Sequence, residues 1–416
     1  MGLDERAPVV RESLHTQDLA VARIRRDAHA EADDVYWADL IAGTPKAINQ
    51  LKAARKRARA LGYRYRTVSD LADNASVEEI VDRVETLISR GETRRDAKAL
   101  LGTINLPAVP ISEAIDVYIK EIAADQVYGK SPNQRRNWEK VKRRAISNFI
   151  RVVGDKPLTE ISRDDALEFL GHWRERIVAG KVSPNAGNRD LGNMRTLITE
   201  WCRHFGLEYH QNPFSGLRFN EGFDRHRPPF PVNWITDRIL APGALAELNA
   251  EARRVLLAMI ETGARPSEIC NLRRSQIVLD HEVPHIAIAP LTGKGERREI
   301  KSRSSVRKVP LVGVSLAAMQ AQPDGFPRYF DQSSNLSANL MKYFRARELF
   351  PSDEHTIYSL RHSFEDRMKE GGLDDELRRT LMGHTIDRPK YGAGGALRWR
   401  RDQLRRIVLP FDPAVV

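Results

Sequence analysis

The stretch that decides the reading of this chain is Tyr358-Ser359-Leu360-Arg361-His362-Ser363-Phe364, followed by Leu377-Arg378-Arg379-Thr380-Leu381-Met382-Gly383-His384 and then by Tyr391-Gly392. Upstream, the helical spacing of Val255, Leu256, Met259 and Ile260 runs into Glu261-Thr262-Gly263-Ala264-Arg265-Pro266-Ser267-Glu268. Gly263 breaks one helix and Pro266 starts the next at its first turn, where a missing N–H costs nothing. Arg265 is therefore presented at a helix entrance, beside amide donors that suit an anion. Glu268 falls in the first turn, placed to orient that guanidinium or to complement the helix dipole. Arg265 by itself reads as a surface salt bridge; the two downstream boxes change its meaning.

Between these blocks, the pattern predicts a three-stranded meander of His285–Ala289, Arg297–Lys301 and Val306–Leu311, with turns at Thr292–Gly295 and Ser302–Ser305. Lys301 then sits at a hairpin end, from which its ammonium reaches toward a cleft, with Lys294 as its rival. As alternatives, either lysine is only a solvated strand-end charge, and His362 is a packed helix residue.

Arg265, Lys301, Arg361, His384 and Tyr391 together supply what metal-free cleavage of a phosphodiester needs. Attack builds negative charge on the nonbridging oxygens, where planar guanidiniums offer bidentate donors. A tyrosine nucleophile must lose a proton and a leaving alkoxide must gain one, so an ammonium and an imidazole nearby are useful. The nearest approach to a nucleotide loop, Ala124 to Ser131, lacks the first glycine of the phosphate-binding pattern. No cofactor and no metal are expected.

In these motifs and their order the chain resembles the tyrosine recombinases of the phage-integrase family. The resemblance implies an integrase-like catalytic fold, mainly α with a small antiparallel β-sheet. It also implies that Arg265 and Arg361 clamp the scissile phosphate, Lys301 protonates the departing 5′-oxygen, His384 hydrogen-bonds a phosphate oxygen and Tyr391 attacks. Glu268 takes the acidic supporting position, and the pattern Lys-Ser-x-x-Ser-x-Arg-x-Val-Pro-Leu favours Lys301 over Lys294. Two departures stand out. Tyr358 occupies the place where the family has a histidine, and a phenol with an ordinary pKa of about 10 carries protons poorly near neutrality. The interval from His384 to Tyr391 is also short for the family, yet Tyr391 is the only tyrosine after His384.

Composition agrees. The 416 residues are 41% hydrophobic and 30% charged, and 67 Lys+Arg against 56 Asp+Glu leave +11, a balance that favours a polyanionic partner, nucleic acid first. Two cysteines, Cys202 and Cys270, are far apart and support neither a disulfide framework nor a zinc site. No apolar signal-like or membrane-length segment is read, so a cytoplasmic, nucleoid-associated protein with no membrane partner is expected.

Outward from the catalytic half, the expected organisation is a helical N-terminal region (1–108), a helical core-binding, SAM-like domain (109–216), a Pro- and Gly-rich linker (217–236) and the catalytic domain (237–416). In the first region Lys52 to Arg59 runs into Tyr63-Arg64-Tyr65-Arg66, either a solvated helix face or a DNA-backbone surface. In the second, Ser112 is expected to cap a helix, Ser162 or Thr159 another, and Arg135, Arg136, Lys140, Arg143 and Arg144 are expected to contact DNA phosphates. Leu397, Leu404, Ile407 and Val408 suit a terminal amphipathic helix, docked in cis or on a neighbouring protomer.

The function expected is site-specific cleavage and rejoining of DNA through a 3′-phosphotyrosine, integrating or excising a mobile element. Expected partners are double-stranded attachment sites, a homotetramer on DNA and an accessory DNA-bending or directionality protein. Two alternatives stay open: a type IB topoisomerase-like enzyme, and a DNA-binding regulator with a decayed site, the reading that Tyr358 keeps alive.

Overall fold

The structure is a computed structural model, and it describes residues 14, 16–27, 30, 34, 46–89, 94–104, 108–205, 207, 211–221, 227–293, 296–385 and 395–416. It is mainly helical with small antiparallel sheets. The chain divides into two compact units: Met1–Gln126 with Glu139–Gly222, and Val127–Trp138 with Phe223–Val416. The short strap Val127–Trp138 thus packs with the C-terminal half of the sequence.

In the first unit, helices Lys46–Ala60, Val77–Ser89 and Arg94–Leu100 enclose a small cluster of Leu61, Leu87 and Leu100. Much of the cationic run here is spent internally. Lys52 pairs with Glu121, Arg57 with Asp96, and Arg66 with Asp70 and Glu79; outside the run, the buried Arg83 donates to the carbonyls of Leu100 and Arg64 and to Glu79.

Further along the unit, Ile111–Val117, Arg163–Val178 and Pro184–Phe205 bury an aromatic core in which Phe149 and Phe169 meet edge-to-face at 5.5 Å. Ser162 caps the second of these helices, accepting from the Asp165 N–H while the Asp165 carboxylate accepts from its own. Ser112 does not cap. Its helix begins one residue earlier, after Pro110, and its hydroxyl and N–H both donate to Asp155.

The second unit is built around helix Ala250–Thr262, whose residues Val255 to Ile260 are buried on every side. Helices Gly313–Gln320, Ser333–Ala346, Ser359–Glu370 and Asp375–Met382 supply Met319, Phe344, Leu360, Phe364 and Leu381 to the same core. Truncating any of these to alanine would cost about 2–5 kcal/mol. The expected linker ends early: Phe230, Ile235 and Ile239 already belong to this core, the last two on a helical turn over Ile235–Ile239.

The sheet differs from the expected meander. Strands β1 (Ile277–Val278), β2 (His285–Ile288) and β5 (Arg307–Pro310) form one antiparallel sheet in the order β1-β2-β5, with Ile286 opposite Val309. Strands β3 (Leu291–Gly293) and β4 (Glu296–Arg298) pair only with each other, as a separate ribbon. The reason lies in side-chain character. β2 and β5 offer apolar residues to a buried face, whereas Glu296-Arg297-Arg298 has nothing to bury between them. Lys301 consequently lies in a bend beyond the ribbon rather than on a strand.

The C-terminal segment packs in cis. Leu404, Leu409 and Val415 enter the core, and helix Leu397–Arg405 lies against β5. Buried Glu261 accepts from the Leu409 N–H at 2.9 Å and pairs with Arg367 at 3.0 Å, while Arg367 also donates to the Ile407 carbonyl. No described helix is long and apolar enough to cross a membrane.

Candidate active site

Two helices end in left-handed glycines, and both ends point at one side chain. Gly263, at φ 57°, closes Ala250–Thr262, and Gly383, at φ 65°, closes Asp375–Met382. Neither tolerates a Cβ: one on Gly263 would lie 2.3 Å from the Phe364 ring, and one on Gly383 would lie 2.7 Å from Arg307 Nη1. Arg361, 2% exposed, donates Nη1 to the Gly263 carbonyl at 2.6 Å and Nη2 to the Met382 carbonyl. Carbonyls at helix C-termini carry partial negative charge, so they hold a buried cation without neutralising it. Burial, and then the charge of Arg265, lower its pKa to about 10, which leaves it cationic at neutral pH.

Arg265 precedes the short helix Pro266–Ile269, and Glu268 folds back onto it. The carboxylate accepts from the Arg265 N–H at 2.8 Å and from its Nη1 at 2.6 Å. On its other side Glu268 receives Arg307 in a fork, at 2.9 and 3.1 Å. Burial pushes this carboxyl upward, but the hydrogen bond and charge of Arg307, then those of Arg265, outweigh it and hold the pKa at about 2. Glu268 is thus ionised throughout the physiological range. Nε and Nη2 of Arg265 make no hydrogen bond among the described residues.

Arg307 is the member of this charged cluster that the sequence did not single out. It also donates Nε to the Leu381 carbonyl at 2.7 Å and Nη1 to the Ser305 carbonyl at 2.8 Å. A signal existed. On β5, Arg307 is in phase with buried Val309, so a charge stands on the core-facing side of a strand.

His384 lies where the chain leaves Gly383, and Arg361 Nη2 donates to its Nε2 at 3.1 Å. A guanidinium has no lone pair to offer, so Nε2 accepts, the ring is neutral and its proton sits on Nδ1. Lost hydration, and then Arg361, Arg265 and Arg307, pull the ring from its ordinary 6.5 to about 4. Three guanidiniums and one carboxylate, with a neutral imidazole, leave two positive charges uncompensated in the cluster.

Lys301 shares with Arg265 and Glu268 the lining of a cavity of about 190 Å³. It is exposed and makes no ion pair among the described residues. The next residue, Ser302, meets the Ser305 hydroxyl at 3.1 Å, which in turn faces Arg265 Nη1 at 3.4 Å. Tyr358 stands before helix Ser359–Glu370, close enough to bear on the Arg361 charge; its ring meets His362 edge-on at 5.5 Å and lies under Arg227 at 5.6 Å. His355 is structural, bonded to Ser352 and to the Pro229 carbonyl. Tyr391 and Lys294 lie outside the described residues. No group of three or more His, Cys, Asp or Glu is placed to hold a metal among the described residues.

The basic residues of helix Pro132–Val153 separate into two kinds. Arg135, Arg136, Lys140, Arg143 and Arg144 are all exposed, but they differ in their partners. Arg135 Nε donates to the Val127 carbonyl at 3.0 Å, Arg143 pairs with Asp116 at 2.7 Å, and Arg144 pairs with the fully buried Asp190 at 2.8 Å, where Asn148 is a second donor.

No family model and no curated relative matches the chain. Among solved structures it is similar to integrases. One is the integrase of transposon Tn1549 in complex with transposon right-end DNA, at 16% identity and a TM-score of 0.43, covering 70% of this chain and 95% of that one. Another is a lambda integrase dimer bound to a COC′ core site, at 16% identity and a TM-score of 0.46, covering 73% and 98%. A third is the integrase of mycobacterium phage Brujita, at 14% identity and a TM-score of 0.33, covering 73% and 96%. Likeness at this level assigns no role to any residue, and the site stands on its own geometry.

Proposed function

We propose that this protein is a tyrosine-type site-specific recombinase acting on duplex DNA. The observation that carries the reading is the cluster of Arg265, Arg307 and Arg361 around a single carboxylate, with a neutral His384 at its edge. Its charge suits a phosphodiester whose nonbridging oxygens gain charge as it becomes five-coordinate. The unused N–H groups of Arg265 and the Nδ1–H of His384 are the donors that meet those oxygens. Arg307 touches only protein and acts as a positioning residue, sharing Glu268 with Arg265.

In this reading the Tyr391 oxygen attacks the phosphorus and gives its proton to water. The phosphorus–O5′ bond breaks and Lys301 Nζ delivers a proton to the leaving oxygen. A 3′-phosphotyrosine and a free 5′-hydroxyl result, and the reverse steps join a new strand. The phosphodiester bond energy is kept, so rejoining needs no nucleotide. The partners are double-stranded attachment sites at the ends of a mobile element and a homotetramer assembled on them. Arg135, Arg136 and Lys140 supply phosphate contacts.

The test is incubation in EDTA with DNA flanking the gene, followed by a denaturing gel for covalent protein–DNA adducts. Adducts from the wild type that vanish in Tyr391→Phe are expected. Binding without adducts on every fragment would favour a regulator, the reading that Tyr358 in place of a histidine supports.

A further inference from the structure

The strap Val127–Trp138 makes a set of bonds that no step above uses. Gln134 faces the end of β4, where its side-chain amide works in both directions: Nε2 donates to the Glu299 carbonyl at 2.8 Å, and Oε1 accepts from the Glu299 N–H at 3.2 Å. A side chain thereby supplies the two backbone bonds that a neighbouring strand would supply. Glu299 needs them. The β3–β4 ribbon ends at Arg298, and two residues after Glu299 comes Lys301.

Gln134 is itself held. Its Oε1 also accepts from the Ser131 N–H at 3.0 Å, and Lys130 pairs with the Glu299 carboxylate. Asp331, at the rare φ of 55° for a residue other than glycine, aims its carboxylate at both partners of the junction. It accepts from Ser131 Oγ and the Asn133 N–H on the strap, and from Arg298 Nη1 at 3.1 Å on the ribbon. Its own N–H is anchored on Asn271 at 2.7 Å. Asp331 thus satisfies the first turn of helix Pro132–Val153 from a distant part of the sequence. The same cavity is lined by Gln134, Arg265, Glu268, Glu299 and Lys301.

We propose that Gln134 is a positioning residue for Lys301: its amide clamps Glu299, with Asp331 as the anchor, and so fixes the strand end from which Lys301 reaches the leaving oxygen. This rests on the assignment of Lys301 as proton donor. Without the clamp, the segment 299–301 would have no partner strand, and the ammonium would sample positions out of reach of O5′.

Two measurements test it, on Gln134→Ala and on the near-isosteric Gln134→Glu, which keeps the acceptor and loses the donor. The first is amide hydrogen exchange in the full-length protein without DNA. Exchange at the Glu299 amide should rise on the order of tenfold in Gln134→Ala, and less in Gln134→Glu, while the core helix Ala250–Thr262 stays protected. Unchanged exchange at Glu299 in Gln134→Ala would overturn the clamp whether or not the protein cleaves DNA.

The second compares cleavage of ordinary strands with strands carrying a 5′-bridging sulfur, whose thiolate leaves without a proton. Gln134→Ala should slow the ordinary strand about 10- to 100-fold, the scale of a misplaced catalytic group, and the sulfur strand little. Lys301→Ala should show the same selectivity. Equal slowing of both strands by Gln134→Ala, with Lys301→Ala still selective, would sink the link to Lys301. If Lys301→Ala also slows both equally, the proton-donor assignment fails, and with it the role proposed for Gln134.

Discussion

Replacing Glu268 by glutamine removes the one negative charge among three guanidiniums and leaves the shape nearly intact. The carboxyl ionises at about 2 rather than at its ordinary 4.5. Ionisation so favoured in the folded chain stabilises it by about 3 kcal/mol near neutrality. The side chain is 7% exposed and its partner Arg307 1%, so solvent screens the pair little, and a neutral amide in its place would leave Arg307 without a counter-charge. For a unit of this size the loss amounts to about 6–12 °C in melting temperature. The pH dependence has a definite sign. A carboxyl with a depressed folded pKa contributes fully above 4.5, and the contribution is lost as pH falls toward 2. The gap between wild type and Glu268→Gln should therefore be constant from pH 7 to about 5 and shrink by about 1.4 kcal/mol for each pH unit below 4.5. Urea unfolding at pH 7, 5 and 3.5 measures it. A gap under about 1 kcal/mol at pH 7, or one that does not change by pH 3.5, would refute the account of Glu268 as the buried counter-charge.

The His384 ring should remain neutral, with its proton on Nδ1, from pH 7 down to about 4; nitrogen-detected imidazole NMR reads both, and titration near 6.5 would contradict the cation cluster. Because its folded pKa is depressed, any stability tied to it is full above 6.5 and falls as pH drops toward 4. On helix Pro132–Val153, Arg136→Ala and Lys140→Ala should weaken DNA binding uniformly and each reduce the salt slope by about 1. Arg144→Ala should instead destabilise the first unit by about 1–3 kcal/mol, because Asp190 is buried and keeps only Asn148; salt-dependent binding and melting of the three variants separate these effects, and a stable Arg144→Ala with a reduced slope would reverse the assignment.

Several parts of this molecule were legible in the sequence because the determinants are local. Gly263 and Pro266 are read as a helix stop and a helix start from their own backbone limits, and Arg265 follows from its place between them. The spacing of Val255, Leu256, Met259 and Ile260 announces the buried helix, and Ser162 with Asp165 is a cap within four residues. Other features were not local. Whether Glu296–Arg298 pairs with β2 or only with β3 depends on what the faces of the sheet bury, and Arg307 gains its meaning only when β5 brings it against Glu268, 39 residues away. Arg143 and Arg144 look alike in the sequence; carboxylates 27 and 46 residues distant decide that both are engaged with protein. The cis docking of the tail likewise required Glu261 and Arg367 to meet. The sequence by itself determined the helix ends, the order of the chemical groups and the basic balance, since these depend on backbone sterics and on composition. Only the tertiary structure decided which charges neutralise one another, which proton His384 keeps and what holds the strand end before Lys301, because electrostatic and hydrogen-bond energies depend on distance in space rather than along the chain.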